Sequence, residues 1–183
     1  MTIVAIISSP RKGANSETIV KAVIEGAKAN GKDVKEFYLN SMTNAKGCQA
    51  CMGCKKTGSC VIKDDNAEVL KAMRDAEGVI ISSPLYFSEA AGQFRLLQDR
   101  FYSFMGLDFA PNIAPGKKLV TVVTCGSGAE NAKILADKME GVMAGAFGFN
   151  PIGKIVASNC GLPDVAKSDN KVLEEAKAIG KKF

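Results

Sequence analysis

The stretch Thr2 to Ser8, T-I-V-A-I-I-S, is apolar at every interior position. An unbroken apolar run of this length is expected of a strand buried on both faces. After a turn rich in serine, proline and glycine the spacing becomes helical. Ile19, Val20, Val23, Ile24 and Ala27 share one face, which predicts a helix from Ser16 to Ala29. Asn30-Gly31 follows as its left-handed stop. Val34–Leu39 is short and half polar, a strand near an edge. Asp64-Asp65-Asn66 offers an N-cap for a helix to Arg74. Gly78–Ser83, with Val79, Ile80 and Ile81 at its centre, reads as another buried strand, with Pro84 expected to end it. A helix over Glu89–Phe104, a strand over Lys118–Thr124, a helix over Ala129–Ala144, a strand over Ile152–Ala157 and an amphipathic helix over Asn170–Lys182 complete the chain. No repeat, linker or low-complexity tract interrupts it. Residues 1–183 are therefore expected to form a single domain, with a cysteine-rich loop at about 40–62.

Strands alternating with helices imply right-handed crossovers and one parallel sheet covered on both sides. The expected fold class is α/β: a doubly wound five-stranded parallel sheet in the order 2-1-3-4-5, in three layers. That order has a switch point between strands one and three. Ligands bind beyond the carboxyl ends of the strands there.

Composition narrows the function classes. The chain of 183 residues is 46% hydrophobic and 23% charged, as in ordinary globular proteins. No apolar run approaches the roughly 20 residues of a membrane helix. The opening residues lack a basic n-region and a small-residue cleavage site, so they read as a first strand and not as a signal peptide. A cytoplasmic location is expected, where thiols stay reduced. The net charge of +5 comes without a basic run or an aromatic-basic pattern, which argues against nucleic acid. Such a surface can attract an acidic protein partner.

Three loops converge at the predicted switch point. The first, Ser8 to Thr18, reads S-S-P-R-K-G-A-N-S-E-T. It carries hydroxyls at Ser9, Ser16 and Thr18, a guanidinium at Arg11, and the start of a helix. Unpaired N–H groups and a positive dipole at a helix start suit a phosphate monoester. It is neither a Walker loop nor a G-x-G-x-x-G fingerprint. The second loop, S-S-P-L-Y-F-S, presents Leu85, Tyr86 and Phe87 at the crevice mouth behind a rigid Pro84. The third, T-C-G-S-G from Thr124 to Gly128, has glycines where backbone can approach a flat ligand. A planar heterocycle with one phosphate fits all three, and FMN is the obvious candidate.

Four of the six cysteines, Cys48, Cys51, Cys54 and Cys60, lie within thirteen positions of a chain that has no histidine. The C-x2-C-x2-C start matches ferredoxin-type runs. Four thiolates without imidazole suit iron or zinc. The loop is long for a connection without regular structure, and it holds few large apolar side chains. A metal centre is therefore expected to supply its cross-links, with a [4Fe-4S] cluster as the leading expectation and zinc or free thiols as alternatives. Asp64 and Asp65 read as a helix cap. Cys125 and Cys160 read as small buried residues.

The motifs I-S-S-P-R-K-G-A-N-S-E-T, C-x2-C-x2-C-x5-C-V-I-K-D-D, S-S-P-L-Y-F and D-R at Asp99-Arg100 occur in that order. In this the chain resembles the NADPH-dependent FMN reductase superfamily of flavodoxin-like proteins, and more narrowly the iron-sulfur flavoproteins. It departs at Ser8 and Ala14, where glycine is common, and at Arg95 and Gln98. The resemblance implies one FMN per subunit and a homo-oligomer, dimer or tetramer, with flavin near a subunit interface. It implies that Ser9, Arg11, Asn15, Ser16 and Thr18 hold the phosphate. Pro84, Leu85, Tyr86 and Phe87 then contact the isoalloxazine, with Thr124, Gly126 and Ser127 along its other edge. The expected activity is electron transfer between a one-electron carrier, such as an acidic ferredoxin, and a small acceptor through cluster and FMN. The alternative is an NAD(P)H-dependent FMN or quinone reductase without a cluster, its cysteines structural, zinc-binding or free. A non-catalytic module docking a partner through a zinc-stapled loop is a third reading. No side-chain acid or base is expected.

Overall fold

The computed structural model describes residues 2–183. In chain order its strands are β1 (Thr2–Ile7), β2 (Asp33–Tyr38), β3 (Gly78–Tyr86), a two-residue β4 (Glu89–Ala90), β5 (Lys118–Thr124) and β6 (Asn150–Ala157). The helices are α1 (Asn15–Ala29), a one-turn α2 (Gly53–Thr57), α3 (Asp65–Asp75), α4 (Gly92–Asp99), α5 (Glu130–Gly141) and α6 (Asn170–Gly180). The five long strands are parallel in the spatial order β2-β1-β3-β5-β6. β4 lies antiparallel against the end of β3. The expected five-stranded sheet is thus corrected to six strands, and the strand expected fourth is β5.

The extra strand has a local cause. Pro84 does not end β3; it is paired with Thr124 at the last rung of the β3–β5 ladder, where a missing N–H is least disruptive. The strand runs on to Tyr86. Phe87 and Ser88 then both take positive φ, 49° and 65°, between the paired residues Tyr86 and Glu89. Two left-handed central residues make the tight hairpin turn whose twist matches the strands. The helix expected over Glu89–Phe104 is therefore divided into β4, α4 and a 3-10 stretch at Arg100–Phe104.

β1, buried on both faces as its apolar run requires, sends alternate residues to opposite layers. Ile3, Ala5 and Ile7 pack with Val20, Val23 and Ile24 of α1 and with Ala176 and Ile179 of α6. Val4 and Ile6 pack with Leu70 and Met73 of α3, Phe94 and Leu97 of α4, and Leu135 and Met139 of α5. The result is three layers with two cores. α1 stops at Gly31, whose φ is +74°. There Gly31 N–H donates to Lys28 O and Lys32 N–H to Ala27 O, the paired bonds of a glycine stop. Among the described residues no helix is long and apolar enough to cross a membrane.

Candidate cofactor site

A cleft of about 270 Å³ opens at the carboxyl ends of β1, β3, β5 and β6. Nine of the twelve expected cofactor residues line it: Ser9, Arg11, Asn15, Ser16, Pro84, Leu85, Tyr86, Thr124 and Gly126. Thr18, Phe87 and Ser127 are not among its walls.

One end is built from the start of α1. The helix begins without a side-chain cap, so its first-turn N–H groups are left for another acceptor. Ser9 Oγ accepts from Arg11 N–H at 3.2 Å, which bends the loop back on itself. Arg11 Nη1 reaches across the cleft to Gly161 O at 3.0 Å. Ser16 Oγ and Thr124 Oγ1 lie 2.8 Å apart and tie the helix start to the end of β5. Ser8 is buried and donates its Oγ–H to Ser82 O at 2.6 Å, joining β1 to β3.

Two residues not singled out in the sequence shape this end. Glu17 Oε2 accepts from Gly13 N–H at 2.6 Å, while Tyr38 O–H donates to Glu17 Oε1 at 2.9 Å. Burial, with the hydrogen bond to Glu17 behind it, pushes the Tyr38 phenol up to about 12. The carboxylate is thereby held by the loop and by Tyr38. Asn15 requires a change of role. Its Nδ2 donates to Cys160 O (3.1 Å) and Leu162 O (2.6 Å), and its Oδ1 accepts from Ala166 N–H (2.8 Å). Both amide protons are consumed, so Asn15 positions the loop after β6. Thr18, a turn further along the helix, stays half-buried outside the cleft.

The other end is a wall and an opposing face. Leu85 is half-buried and Tyr86 exposed at the mouth, while Phe87 stands fully in solvent at the hairpin tip. Across from them the loops after β5 and β6 meet. A Cβ added to Gly126 would lie 3.5 Å from Gly161 Cα, an ordinary van der Waals distance, so the two loops run side by side here. Cys125, Cys160 and Gly161 also line the cleft. Cys160 is therefore not simply a core residue, and the segment S-N-C-G-L after β6 carried the signal: it lies at the same end of the sheet as the other loops. Ser127 is exposed beyond the rim; its carbonyl accepts from Asn159 N–H.

The cysteine loop takes an unexpected form. Cys48 and Cys51 are exposed, Cys60 is partly buried, and Cys54 is buried within α2 instead of lying in irregular loop. Left-handed residues, Met52 and Gly58, bracket that turn. Among the described residues no three cysteine or carboxylate groups are gathered closely enough to hold a metal ion. The donor chemistry suits iron, and the placement does not gather it.

Protein groups supply the cross-links expected of a metal. Arg100, its side chain fully buried, donates to Asp64 Oδ2 (2.8 Å), Lys46 O (2.9 Å), Ile62 O (3.3 Å) and Cys60 Sγ (3.1 Å). Burial disfavours its charge, but the hydrogen bonds to Asp64 and Cys60 outweigh that and raise its pKa. Arg74 holds Gly58 O (2.8 Å) and Ser103 O (2.6 Å). Lys55 is not a free surface charge: its ammonium donates to Tyr102 O and Met105 O and sits 3.5 Å from the Tyr102 ring centre. Asp64 also caps α3, accepting from Ala67 N–H as its place in the sequence suggests.

A parallel sheet whose switch-point loops form an anion-attracting helix start beside an aromatic and glycine-lined cleft defines a flavodoxin-like flavin oxidoreductase. Residues 1–162 match the NADPH-dependent FMN reductase family, and the chain belongs to it. An iron-sulfur flavoprotein of Methanosarcina thermophila is 36% identical over 110 residues, 60% of this chain and 57% of that protein. An iron-sulfur flavoprotein of Methanocaldococcus jannaschii is 34% identical over 55% of this chain and 51% of its own length, so the chain spans little more than half of these relatives. One from Archaeoglobus fulgidus is 26% identical over the full chain and 79% of that protein. Among solved structures, an NAD(P)H:quinone oxidoreductase from Methanothermobacter marburgensis superposes with a TM-score of 0.79 at 17% identity, covering 100% of this chain and 95% of its own. That likeness establishes the shared fold.

Proposed function

We propose that the protein binds one FMN in the cleft and carries electrons from NAD(P)H, or from a ferredoxin-like one-electron carrier, to a small acceptor. The reading is carried by one juxtaposition. An uncapped α1 start, Arg11 and the Ser9 and Ser16 hydroxyls stand at one end of a cleft whose other end is the Pro84–Tyr86 wall facing Gly126 and Gly161. Bound FMN supplies electron transfer in steps of one or two. The chain binds and orients. Arg11 and the first N–H groups of α1 take the phosphate, while Leu85 and Tyr86 shelter one face of the ring from water. The lining holds no carboxylate and no imidazole, so proton transfer is not assigned to a side-chain acid–base pair.

The cysteine run and the names of the relatives support a [4Fe-4S] cluster held by Cys48, Cys51, Cys54 and Cys60, which supplies one-electron chemistry. To hold it, the exposed half of the loop must bring Cys48 and Cys51 inward; no electron-transfer step is assigned to it. The exposed lysines Lys46, Lys56 and Lys63 offer an acidic ferredoxin a surface. Fully exposed Phe87, with exposed Leu96 on α4, is proposed as the contact with a second copy in a dimer or tetramer. Location in the cytoplasm is part of the same proposal.

Anaerobic purification followed by flavin, iron and sulfide analysis tests this. FMN near one per chain is expected, and a chain that neither retains nor takes up FMN overturns the reading. Iron and sulfide with FMN support the cluster. FMN without iron, with NADH or NADPH oxidation, establishes the cluster-free reductase.

A further inference from the structure

We propose that Glu17 is a positioning residue for the phosphate end of the cleft: it fixes the loop after β1 in the shape that receives the FMN phosphate, and Tyr38 at the end of β2 braces it. The inference rests on the FMN reading above. Glu17 is not among the walls of the cleft, so it acts through the loop and not on the ligand.

The loop needs such a tie. Pro10, Arg11, Lys12 and Gly13 are four consecutive exposed residues, so apolar packing does not hold them. Gly13 turns the chain at φ +70°, and a Cβ placed there would meet nothing within 4 Å. The segment is ordered by polar contacts instead. Ser9 Oγ accepts from Arg11 N–H at 3.2 Å, Asn40 Nδ2 donates to Pro10 O at 3.4 Å, and Glu17 Oε2 accepts from Gly13 N–H at 2.6 Å. The last is the shortest of the three, and its acceptor is a carboxylate. Glu17 is the third residue of α1, where a glutamate can reach back over the helix start as one half of a capping box. Ala14, at the N-cap, has no side chain to supply the other half. The carboxylate therefore takes a donor ahead of the helix and spares those within it. The helical ladder begins with Thr18 N–H to Ala14 O, so the N–H groups of Asn15, Ser16 and Glu17 precede it and suit an anion.

The carboxylate is itself held. Glu17 is 9% exposed, and Tyr38 O–H donates to its Oε1 at 2.9 Å, with Glu36 Oε2 as a second acceptor at 3.1 Å. Lys21 pairs with that Glu36 oxygen at 2.7 Å, which leaves the phenol proton to Glu17. Bound at both oxygens, the side chain is confined to one geometry. The raised Tyr38 phenol stays a donor throughout the neutral range.

Fluorescence titration of the flavin-free full chain with FMN and with riboflavin tests this. Glu17→Ala is expected to weaken FMN about tenfold and to leave riboflavin unchanged. Glu17→Gln is expected to stay within about threefold of the wild type, since its amide oxygen accepts from Gly13 N–H while its nitrogen donates to the Tyr38 oxygen. A loss in Glu17→Gln equal to that in Glu17→Ala overturns the hydrogen-bonding role. A carboxylate that only stabilises the fold would lower the melting temperature and leave the ratio of FMN to riboflavin affinity where it was, and that result overturns the proposal. Tighter FMN binding by Glu17→Ala also overturns it, because Gly13 N–H would then be a phosphate donor that the carboxylate blocks. Tyr38→Phe is expected to cost FMN about threefold alone and nothing more when added to Glu17→Ala. Additive losses in the double variant overturn the brace. Should Glu17→Ala not fold by circular dichroism, Tyr38→Phe carries the same two-flavin comparison. Wild-type protein that binds neither flavin overturns the FMN reading and this inference together, whereas wild-type binding with an unchanged ratio in the variants removes the inference alone.

Discussion

Arg11 gives the cleft its guanidinium, which donates to the carbonyl of Gly161. A hydrogen bond to a charged group contributes about 1.5–3 kcal/mol. Arg11→Ala is therefore expected to weaken FMN by about ten- to a hundredfold, while riboflavin, which lacks the phosphate, changes little. Fluorescence titration with both ligands measures this, and equal loss for the two would place the phosphate elsewhere. Tyr38 gives a pH signature. Its phenol moves from an ordinary 10.0 to about 12 on folding, so the folded state favours the protonated form. That stabilisation is complete below pH 10.0 and is lost as pH rises toward about 12. The melting temperature is expected to fall over that window, and Tyr38→Phe to flatten the slope; an identical slope in the variant refutes the assignment. The place of Ser9, Arg11 and Ser16 at the cleft was legible, because the loop after β1 opens at the carboxyl end of the sheet. The role of Asn15 was not. Its partners, Cys160, Leu162 and Ala166, are about 150 positions away in sequence, and only folding reveals that its amide is already used.

Where elements meet, backbone proximity matters as much as side-chain pattern. α1 and α6 approach so closely that a Cβ on Gly26 would collide with the Lys177 carbonyl and one on Gly180 with that of Val23. Glycine to alanine inside a helix gains up to about 1 kcal/mol of propensity. The obstruction here is backbone, which cannot rotate away, and overpacking costs about 1–3 kcal/mol. Gly180→Ala is expected to be net destabilising, seen as a lower denaturant midpoint at unchanged slope. A stabilised variant would show that the helices slide apart without penalty. The amphipathic pattern of both helices was readable, since a period of 3.6 survives in sequence. The hairpin after β3 was not, because Phe87-Ser88 lacks the Asn-Gly signature and holds left-handed geometry under tertiary constraint.

Across the whole fold, the cysteine loop separates chemistry from architecture. Arg100, Arg74, Asp64 and Asn66 hold its backbone at Lys46, Gly58 and Ile62, and Lys55 ties it outward to Tyr102 O and Met105 O. Treatment with a chelator is expected to leave residues 40–62 as resistant to protease as before. Arg100→Met, which leaves Asp64 unpaired in a buried site, is expected to destabilise the protein by about 3–5 kcal/mol and open the loop. Rapid cleavage of the loop on chelation alone would return the structural role to the metal. Strand and helix order, the parallel sheet and the cleft's position were all implicit in the chain, because periodicity and connection length are local properties that restrict topology to few choices. The six-stranded outcome, the roles of Asn15 and Glu17, the backbone bond between the loops after β5 and β6 and the buried Arg100 that holds the cysteine loop were decided by folding. Each depends on which distant backbone groups come within hydrogen-bond reach, and that distance is a property of the packed molecule alone.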